Sequence, residues 1–151
     1  MSAKRAIAPR QAAAPKRAAA PIAGYSGKPT IDKLGVKPGM RVAVLGLESE
    51  SAFLAELAAR TTAVSHGRAA KDLEMILVRF DAERDLARLP ALEKRIRRDG
   101  AIWVVWPKGR PEIKEDMVRA KALASGLVDV KVCAFSGELS ALKLVVPVAK
   151  R

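Results

Sequence analysis

Three short aliphatic runs limit what this chain can fold into. They cover residues 41–46 (Arg-Val-Ala-Val-Leu-Gly), 72–80 and 101–106. Each run is nearly continuous in apolar side chains and does not alternate apolar with polar residues. Such runs are typical of strands in a parallel sheet that is covered on both faces. The sequence therefore predicts three central strands of a buried sheet.

Helical patterns separate these strands. Residues 51–60 carry apolar side chains at helical spacing, and residues 112–124 do the same after the third strand. Between the second and third strands, a helix closed by Asp99 and Gly100 is predicted from apolar residues that recur every three or four positions, namely Leu86, Leu89, Leu92 and Ile96. Parallel strands require such crossover connections, so the order predicts an α/β protein.

Weaker signals complete the predicted architecture. Thr30 is a candidate cap for a short helix that Gly35 ends, and residues 62–65 resemble a weak strand. Residues 128–134 alternate apolar with other side chains, and a Ser-Gly-Glu turn precedes a last apolar run at 139–148. We predict a Rossmann-like, doubly wound and mainly parallel sheet that ends in a C-terminal antiparallel hairpin along its edge.

The first 23 residues have a different composition. Residues 1–23 consist mostly of Ala, Pro, Lys and Arg and contain few side chains to bury. Ordering such a segment would lose chain entropy without a compensating core. We therefore expect a disordered basic tail over 1–23 and a single Rossmann-like α/β domain over 24–151.

The tail is also a candidate polyanion-binding segment. The net charge of the chain is +12, and residues 1–28 contain six cationic side chains and no acidic one. The six are Lys4, Arg5, Arg10, Lys16, Arg17 and Lys28. Cations that neutralise phosphates release counterions, so weak binding to nucleic acid or another polyanion is expected. No aromatic residue precedes Tyr25, which argues against sequence reading. The alternatives are a solubilising leader and a start codon misassigned upstream of Tyr25.

Several classes of protein and site are disfavoured. No apolar run approaches the roughly 18 residues that a membrane span needs, so no membrane association is expected. Cys133 is the only cysteine, which excludes an intrachain disulfide and fits a reducing cytoplasm. With His66 as the only histidine, a zinc site made of Cys and His is excluded. We expect His66 in a loop and Cys133 to be an inert thiol.

The order of elements resembles a shortened class I methyltransferase. Residues 37–42 (Lys-Pro-Gly-Met-Arg-Val) look like the approach to the first strand of that fold. The resemblance implies an S-adenosylmethionine site in the loop that follows this strand. Methyltransferases and dinucleotide enzymes place glycines there, because a bare backbone can approach a cofactor closely.

The loop departs from that pattern. On the acid-x-Gly-x-Gly-x-Gly scheme, Val44 replaces the acid and Gly46 remains. Glu48 and Glu50 occupy the other two glycine positions, where they are placed to cap the next helix and to repel phosphates. No clear acidic residue for a ribose follows the second strand. The sequence favours an empty, self-capped loop over a cofactor cradle.

Four segments are similar to an uncharacterised bacterial family, domain of unknown function 3052. They are residues 25–29, 33–42, 100–108 with its Trp-Val-Val-Trp-Pro-Lys ending, and 126–134. Together they span almost the whole predicted domain. The resemblance implies a small cytoplasmic bacterial protein and brings no activity, ligand or catalytic residue with it.

The candidate ligand site lies where the central strands end. Open α/β sheets bind ligands at the carboxyl ends of their strands, which points to Gly46 and Glu48 after the first strand and to Trp106 and Lys108 after the third. Lys108 and Arg110 are placed to meet an anion, and Trp106 is placed to stack on a ring or to fill the core. The basic run 94–98 complements a helix end or contacts a polyanion.

Three functions are compatible with these features. The sequence favours a binding or interaction module, a Rossmann-like domain with a degenerate cofactor loop whose ligand is unknown. The first alternative is an S-adenosylmethionine-dependent methyltransferase-like enzyme that uses an unusual loop, with Gly46 and Glu48 near the cofactor and Lys108 near the substrate. The second is non-specific binding of nucleic acid or another polyanion through the basic tail. No residue is assigned a catalytic role.

Overall fold

The structure, a computed structural model, describes residues 29–151, and within them it forms a six-stranded sheet. The strands along the chain are β1 Val42–Leu45, β2 Val64–His66, β3 Leu73–Arg79, β4 Ile96–Pro107, β5 Val128–Ala134 and β6 Leu139–Val145. Their order across the sheet is β2-β1-β3-β4-β6-β5. The three aliphatic runs therefore form β1, β3 and most of β4, as predicted.

Four of the strands form a parallel block. β1 pairs in parallel with β2 and β3, and β3 pairs in parallel with β4. β6 runs antiparallel to both β4 and β5, so the predicted hairpin is present. This hairpin forms one edge of the sheet, as predicted, with β6 next to β4 and β5 outermost.

Helices cover both faces of this sheet. The α-helices are α1 Thr30–Leu34, α2 Ser51–Arg60, α3 Leu89–Glu93 and α4 Glu115–Ala124, and a 3-10 helix spans Glu83–Arg88. Alternate residues of β4 point to opposite faces. Val104 and Trp106 pack with the 3-10 helix, α3 and α4, whereas Trp103 and Val105 pack with α1 and α2. The sheet is thus buried on both sides, which confirms the Rossmann-like fold.

The helix predicted to run through Ile96 ends earlier. α3 stops at Glu93, and Ile96 is the first residue of β4, where it pairs with Leu73 of β3. Pro90 lies in the first turn of α3, so it restarts a helix after the 3-10 segment. The basic run 94–98 consequently begins at the C-terminal cap of α3, which is Lys94, and continues beyond the helix. Part of it belongs to an irregular stretch of β4 where the register with β3 shifts.

Two smaller predictions also need correction. Pro29, and not Thr30, is the residue that precedes α1, and the Thr30 hydroxyl donates a hydrogen bond to the Phe135 carbonyl at 3.0 Å. His66, expected in a loop, is the exposed last residue of β2. The predicted end of α1 is confirmed, because Gly35 follows it in the left-handed conformation.

Among residues 29–151, no helix is both long and apolar enough to cross a bilayer.

Gly100 is the glycine where the structure leaves the least space for a side chain. An added Cβ would lie 3.0 Å from the Leu73 carbonyl oxygen and 3.1 Å from the Glu74 carbonyl oxygen, both on β3. Backbone atoms held in a sheet cannot move as a flexible side chain can. We expect Gly100→Ala to lower the free energy of unfolding by about 1–3 kcal/mol, measured by urea denaturation with tryptophan fluorescence.

Asp99→Ala is the matched control, one residue away. Asp99 is exposed and meets Arg97 at 3.4 Å, a surface ion pair worth little. We expect this change to alter the free energy of unfolding by less than about 0.5 kcal/mol. Equal losses in the two variants would show that the close approach at Gly100 is not a constraint.

Candidate functional site

The loops that follow the parallel strands emerge at one edge of the sheet. Gly46 follows β1, His66 ends β2, Phe80 follows β3 and Lys108 follows β4. Because these strands run in the same direction, their carboxyl ends lie side by side. β1 and β4 are separated by β3 alone, so their loops begin roughly 10 Å apart. The candidate residues after the first and third predicted strands therefore share one sheet edge.

Gly46 has a structural reason to be glycine. Its φ is 78°, in the left-handed region, and an added Cβ would lie 3.4 Å from the Arg79 Cβ and 3.5 Å from the Arg79 carbonyl oxygen. The space that its missing side chain leaves is therefore bordered by the end of β3. Those distances are ordinary van der Waals contacts, so the left-handed turn after β1 accounts for this glycine, with or without a ligand.

The rest of the β1 loop is a turn into α2. Leu47 is fully buried against the α2 face, and the Glu50 N–H donates to the Leu47 carbonyl at 3.0 Å. Glu48 is exposed. The predicted self-capping is wrong, because no side chain caps α2, and the Glu50 carboxylate instead accepts a hydrogen bond from Ser49 at 3.4 Å.

The loop after β3 carries an ion pair that sequence analysis missed. Arg79 Nε donates to Asp81 Oδ1 at 2.9 Å, and its side chain is mostly buried. Asp85 Oδ2 accepts hydrogen bonds from the backbone N–H groups of Asp81 and Ala82, at 2.8 Å and 3.1 Å. These contacts fix the loop beside Gly46. The only signal in the sequence is an Arg and an Asp that flank the end of an aliphatic run.

A cleft of about 450 Å³ opens beyond the end of β4. Trp106 and Lys108 both line it, together with Gly109, Arg110, Pro111, Ile113, Lys114, Glu115 and Ser140. Trp106 is 4% exposed and packs in the core on the α4 face. The Lys108 N–H donates to the Glu138 carbonyl at 2.9 Å, which ties the loop to the turn before β6. The cleft walls are therefore held by β4, β6 and α4.

The four predicted ligand residues fall into two groups. Trp106 and Lys108 line one cleft, whereas Gly46 and Glu48 lie in the β1 loop and are not among its lining residues. The loop after β3, with Arg79 and its partners, lies between the two groups in the strand order. The sheet edge thus offers two neighbouring positions and not one.

A second charged cluster lies on the α1 face. The Lys33 ammonium is buried and donates to the Ala134 carbonyl at 2.6 Å. Burial lowers the pKa of Lys33; the Cys133 thiol opposes this shift, and the charges of Lys108 and Lys131 add to it. Burial raises the pKa of Cys133, although Lys33 and Lys131 act in the opposite direction. The raised pKa favours the protonated thiol near neutral pH, and the inertness of Cys133 stays a prediction.

The polyanion prediction is not tested by the described residues. Lys4, Arg5, Arg10, Lys16 and Arg17 lie outside residues 29–151, so their role stays a prediction, as does the boundary at residue 23. In the basic run 94–98, Arg97 pairs with Asp99 at 3.4 Å and Arg98 with Glu93 at 3.0 Å. A cleft of about 630 Å³ at the amino edge of the sheet is lined by the cations Lys71, Lys94 and Arg95.

Solved structures with a similar backbone include methyltransferases. A SAM-dependent methyltransferase from Aquifex aeolicus is 14% identical, with a TM-score of 0.59 over 77% of this chain and 87% of that chain. The ribosomal protein L11 methylase of Lactobacillus delbrueckii subsp. bulgaricus is also 14% identical, with a TM-score of 0.58 over 78% and 74%. Fibrillarin of Aeropyrum pernix, solved with bound S-adenosyl-L-methionine, is 11% identical, with a TM-score of 0.53 over 73% and 68%.

The chain has the fold of the class I methyltransferases. This confirms the resemblance drawn from the order of strands and helices. At these identities the likeness concerns the fold and not the activity. No protein-family model and no curated protein matches the chain, so the resemblance to the family of unknown function 3052 stays a prediction.

The raised pKa of Cys133 gives a test of this part of the sheet. Alkylation needs the thiolate, and a raised pKa lowers the thiolate fraction while burial limits access of the reagent. Iodoacetamide should therefore label the native chain at least roughly tenfold more slowly than the urea-unfolded chain. The rate should climb as the pH rises above the usual cysteine range. Mass spectrometry of quenched samples measures the labelled fraction.

Lys131→Gln tests the direction of the electrostatic effect on the Cys133 pKa. Lys131 lowers the Cys133 pKa, so its removal should raise that pKa further and slow labelling at a fixed pH. Lys121→Gln, on α4 at the other face, should leave the rate unchanged. Equal labelling of native and unfolded chains would contradict the burial of Cys133.

Proposed function

We propose that this chain is a methyltransferase-like protein that binds S-adenosylmethionine in the loop after β1. The observation that carries the proposal is the fold likeness to methyltransferases, joined to a left-handed glycine directly after β1. Gly46 turns the chain away from the sheet, and Glu48 then lies exposed before α2. In this proposal Gly46 and Glu48 lie on the cofactor side, and Trp106 and Lys108 on the substrate side.

The charge of the β1 loop favours a sulfonium ligand over a nucleotide phosphate. Glu48 and Glu50 lie just before α2, where their carboxylates repel phosphates. S-adenosylmethionine has no phosphate, and it carries positive charge on its sulfonium and its ammonium group. Those groups are attracted by carboxylates. The two glutamates therefore argue against a dinucleotide and are compatible with S-adenosylmethionine.

The competing function is a binding module that keeps the sheet without a cofactor. It is favoured by the two glutamates at positions where a cofactor loop has glycines, and by Gly46, whose left-handed turn calls for a glycine even without a ligand. The two functions make opposite predictions for ligand binding. Binding of S-adenosyl compounds to the purified full chain therefore decides between them.

A charge-dependent preference tests the proposal most sharply. S-adenosylhomocysteine lacks the positive sulfonium, so Glu48→Gln should weaken S-adenosylmethionine roughly two- to fivefold and affect S-adenosylhomocysteine less, as expected for an exposed charge pair. Isothermal titration calorimetry measures both affinities. A thermal shift that grows with ligand concentration gives an independent readout, since a ligand that binds the folded state stabilises it.

Glu56→Gln is the matched control for Glu48→Gln. Glu56 is an exposed carboxylate on α2, more than one helical turn beyond the loop, so its removal changes net charge equally. It should leave the preference for S-adenosylmethionine unchanged. Absence of binding at millimolar concentrations of either compound would overturn the proposal and leave the binding module.

A further inference from the structure

One residue that lines the cleft beyond β4 has a buried hydrogen-bond donor without an acceptor among the described residues. The chain has two tryptophans, and both are buried. Trp103 Nε1 donates to the Leu34 carbonyl at 3.0 Å. Within residues 29–151, the Trp106 indole N–H meets no acceptor, although Trp106 is 4% exposed and lines the cleft. Buried indole N–H groups normally find a partner, so this one points to a ligand that supplies an acceptor.

Three cations line the same cleft without a counter-ion. Lys108, Arg110 and Lys114 form no ion pair with any residue that the structure describes. By contrast, Arg60 and Arg79 pair with neighbouring carboxylates elsewhere in the domain. Like charges in one concave site repel each other unless an anion is bound between them. This arrangement therefore favours a negatively charged ligand.

The acid in the cleft wall has an ion-pair partner outside the cleft. Glu115 forms an ion pair with Arg119 one helical turn away, and Arg119 also binds Asp129 at 3.1 Å. Glu115 thus belongs to a partly exposed group of ion pairs between α4 and β5. Glu112 and Asp116 are exposed near the start of α4 and are not among the residues that line the cleft.

Further donors lie at the start of α4 and on β6. α4 is ten residues long and begins at Glu115 without a side-chain cap, and the N–H of Met117 is bonded to the Lys114 carbonyl, so the N–H groups of Glu115 and Asp116 remain at the open helix end. Ser140, opposite Trp106 in the β4–β6 pairing, adds a hydroxyl to the wall. The cleft walls therefore carry three cations, the start of α4 and a tryptophan whose indole N–H has no partner among the described residues. Glu115, the one carboxylate in the lining, has its own ion pair.

We propose that this cleft binds the phosphate group of a small phosphorylated compound. Three cations suit a dianionic phosphate better than a singly charged carboxylate, and several phosphate oxygens can accept from the indole and from the cations together. The volume of about 450 Å³ is that of a small-molecule site. The proposal specifies the ligand class of the substrate side named above, to which Trp106 and Lys108 belong. Phosphate binding can be tested without S-adenosylmethionine, because all cleft residues lie outside the β1 loop.

Nuclear magnetic resonance of the indole groups tests the proposal directly. The ¹⁵N-labelled full chain should give two indole N–H signals, and Trp106→Phe assigns one of them while keeping an aromatic ring in the core. Phenyl phosphate, titrated without any S-adenosyl compound, should shift the Trp106 signal downfield as its N–H gains an acceptor. The Trp103 signal, already bonded to Leu34, serves as the internal control and should stay in place.

Two triple variants of equal charge separate a built site from general attraction. Lys108→Gln/Arg110→Gln/Lys114→Gln should weaken phenyl phosphate binding roughly tenfold or more, since its charge-assisted hydrogen bonds are lost. Lys71→Gln/Lys94→Gln/Arg95→Gln, at the amino edge, removes the same charge and should leave the affinity unchanged. These variants do not touch the core, so the test holds even if Trp106→Phe fails to fold.

Three results would overturn the proposal. The first is a Trp106 signal that does not move at millimolar phenyl phosphate. The second is equal weakening in the two triple variants, which would show unspecific attraction to a basic protein. The third is benzoate that binds as tightly as phenyl phosphate, which would show a carboxylate site. None of these results bears on whether S-adenosylmethionine binds the β1 loop.

Discussion

The pairing of β4 with parallel β3 on one side and antiparallel β6 on the other determines the rest of the structure. The β6 contact runs without a break from Ala101 to Pro107, and both faces of this stretch are buried. Alternation along β4 sends Trp103 to the α1 face and Trp106 to the α4 face. The same strand then ends at the sheet edge, so the core and the cleft are built by one segment.

Burial on both faces is also why most of the sheet could be predicted. It removes the polar positions of a strand and leaves an aliphatic run that is visible in the sequence. The start of β4 was predicted wrongly because Ile96 follows Leu92 at helical spacing. The same spacing also arises by chance when a strand follows a helix after a short connection. The choice is made by pairing with Leu73, a contact between distant segments. The position of β6 inside the sheet likewise depends on long-range pairing that no local pattern records.

The candidate site was predictable in position but not in chemistry. Gly46, Trp106 and Lys108 follow from the rule that ligands bind beyond the carboxyl ends of strands. The difference between the two tryptophans does not follow from this rule. The Trp103 indole N–H donates to the Leu34 carbonyl, 69 residues away in sequence, whereas the Trp106 indole N–H has no acceptor within the described residues. The Arg79–Asp81 pair and the engagement of Glu115 by Arg119 are equally products of the folded loops.

Charge is distributed unevenly along this sheet edge. The β1 loop presents Glu48 and Glu50, while the loop after β4 presents Lys108, Arg110 and Lys114. β3 separates the two loops, and its own end is neutralised by the pair between Arg79 and Asp81. A ligand with positive charge is therefore favoured at one position and an anion at the other, roughly 10 Å apart at the strand ends. Under the two proposals, a sulfonium donor and a phosphorylated acceptor would each be drawn to its own side, and a nucleotide would be excluded from the first by its phosphates.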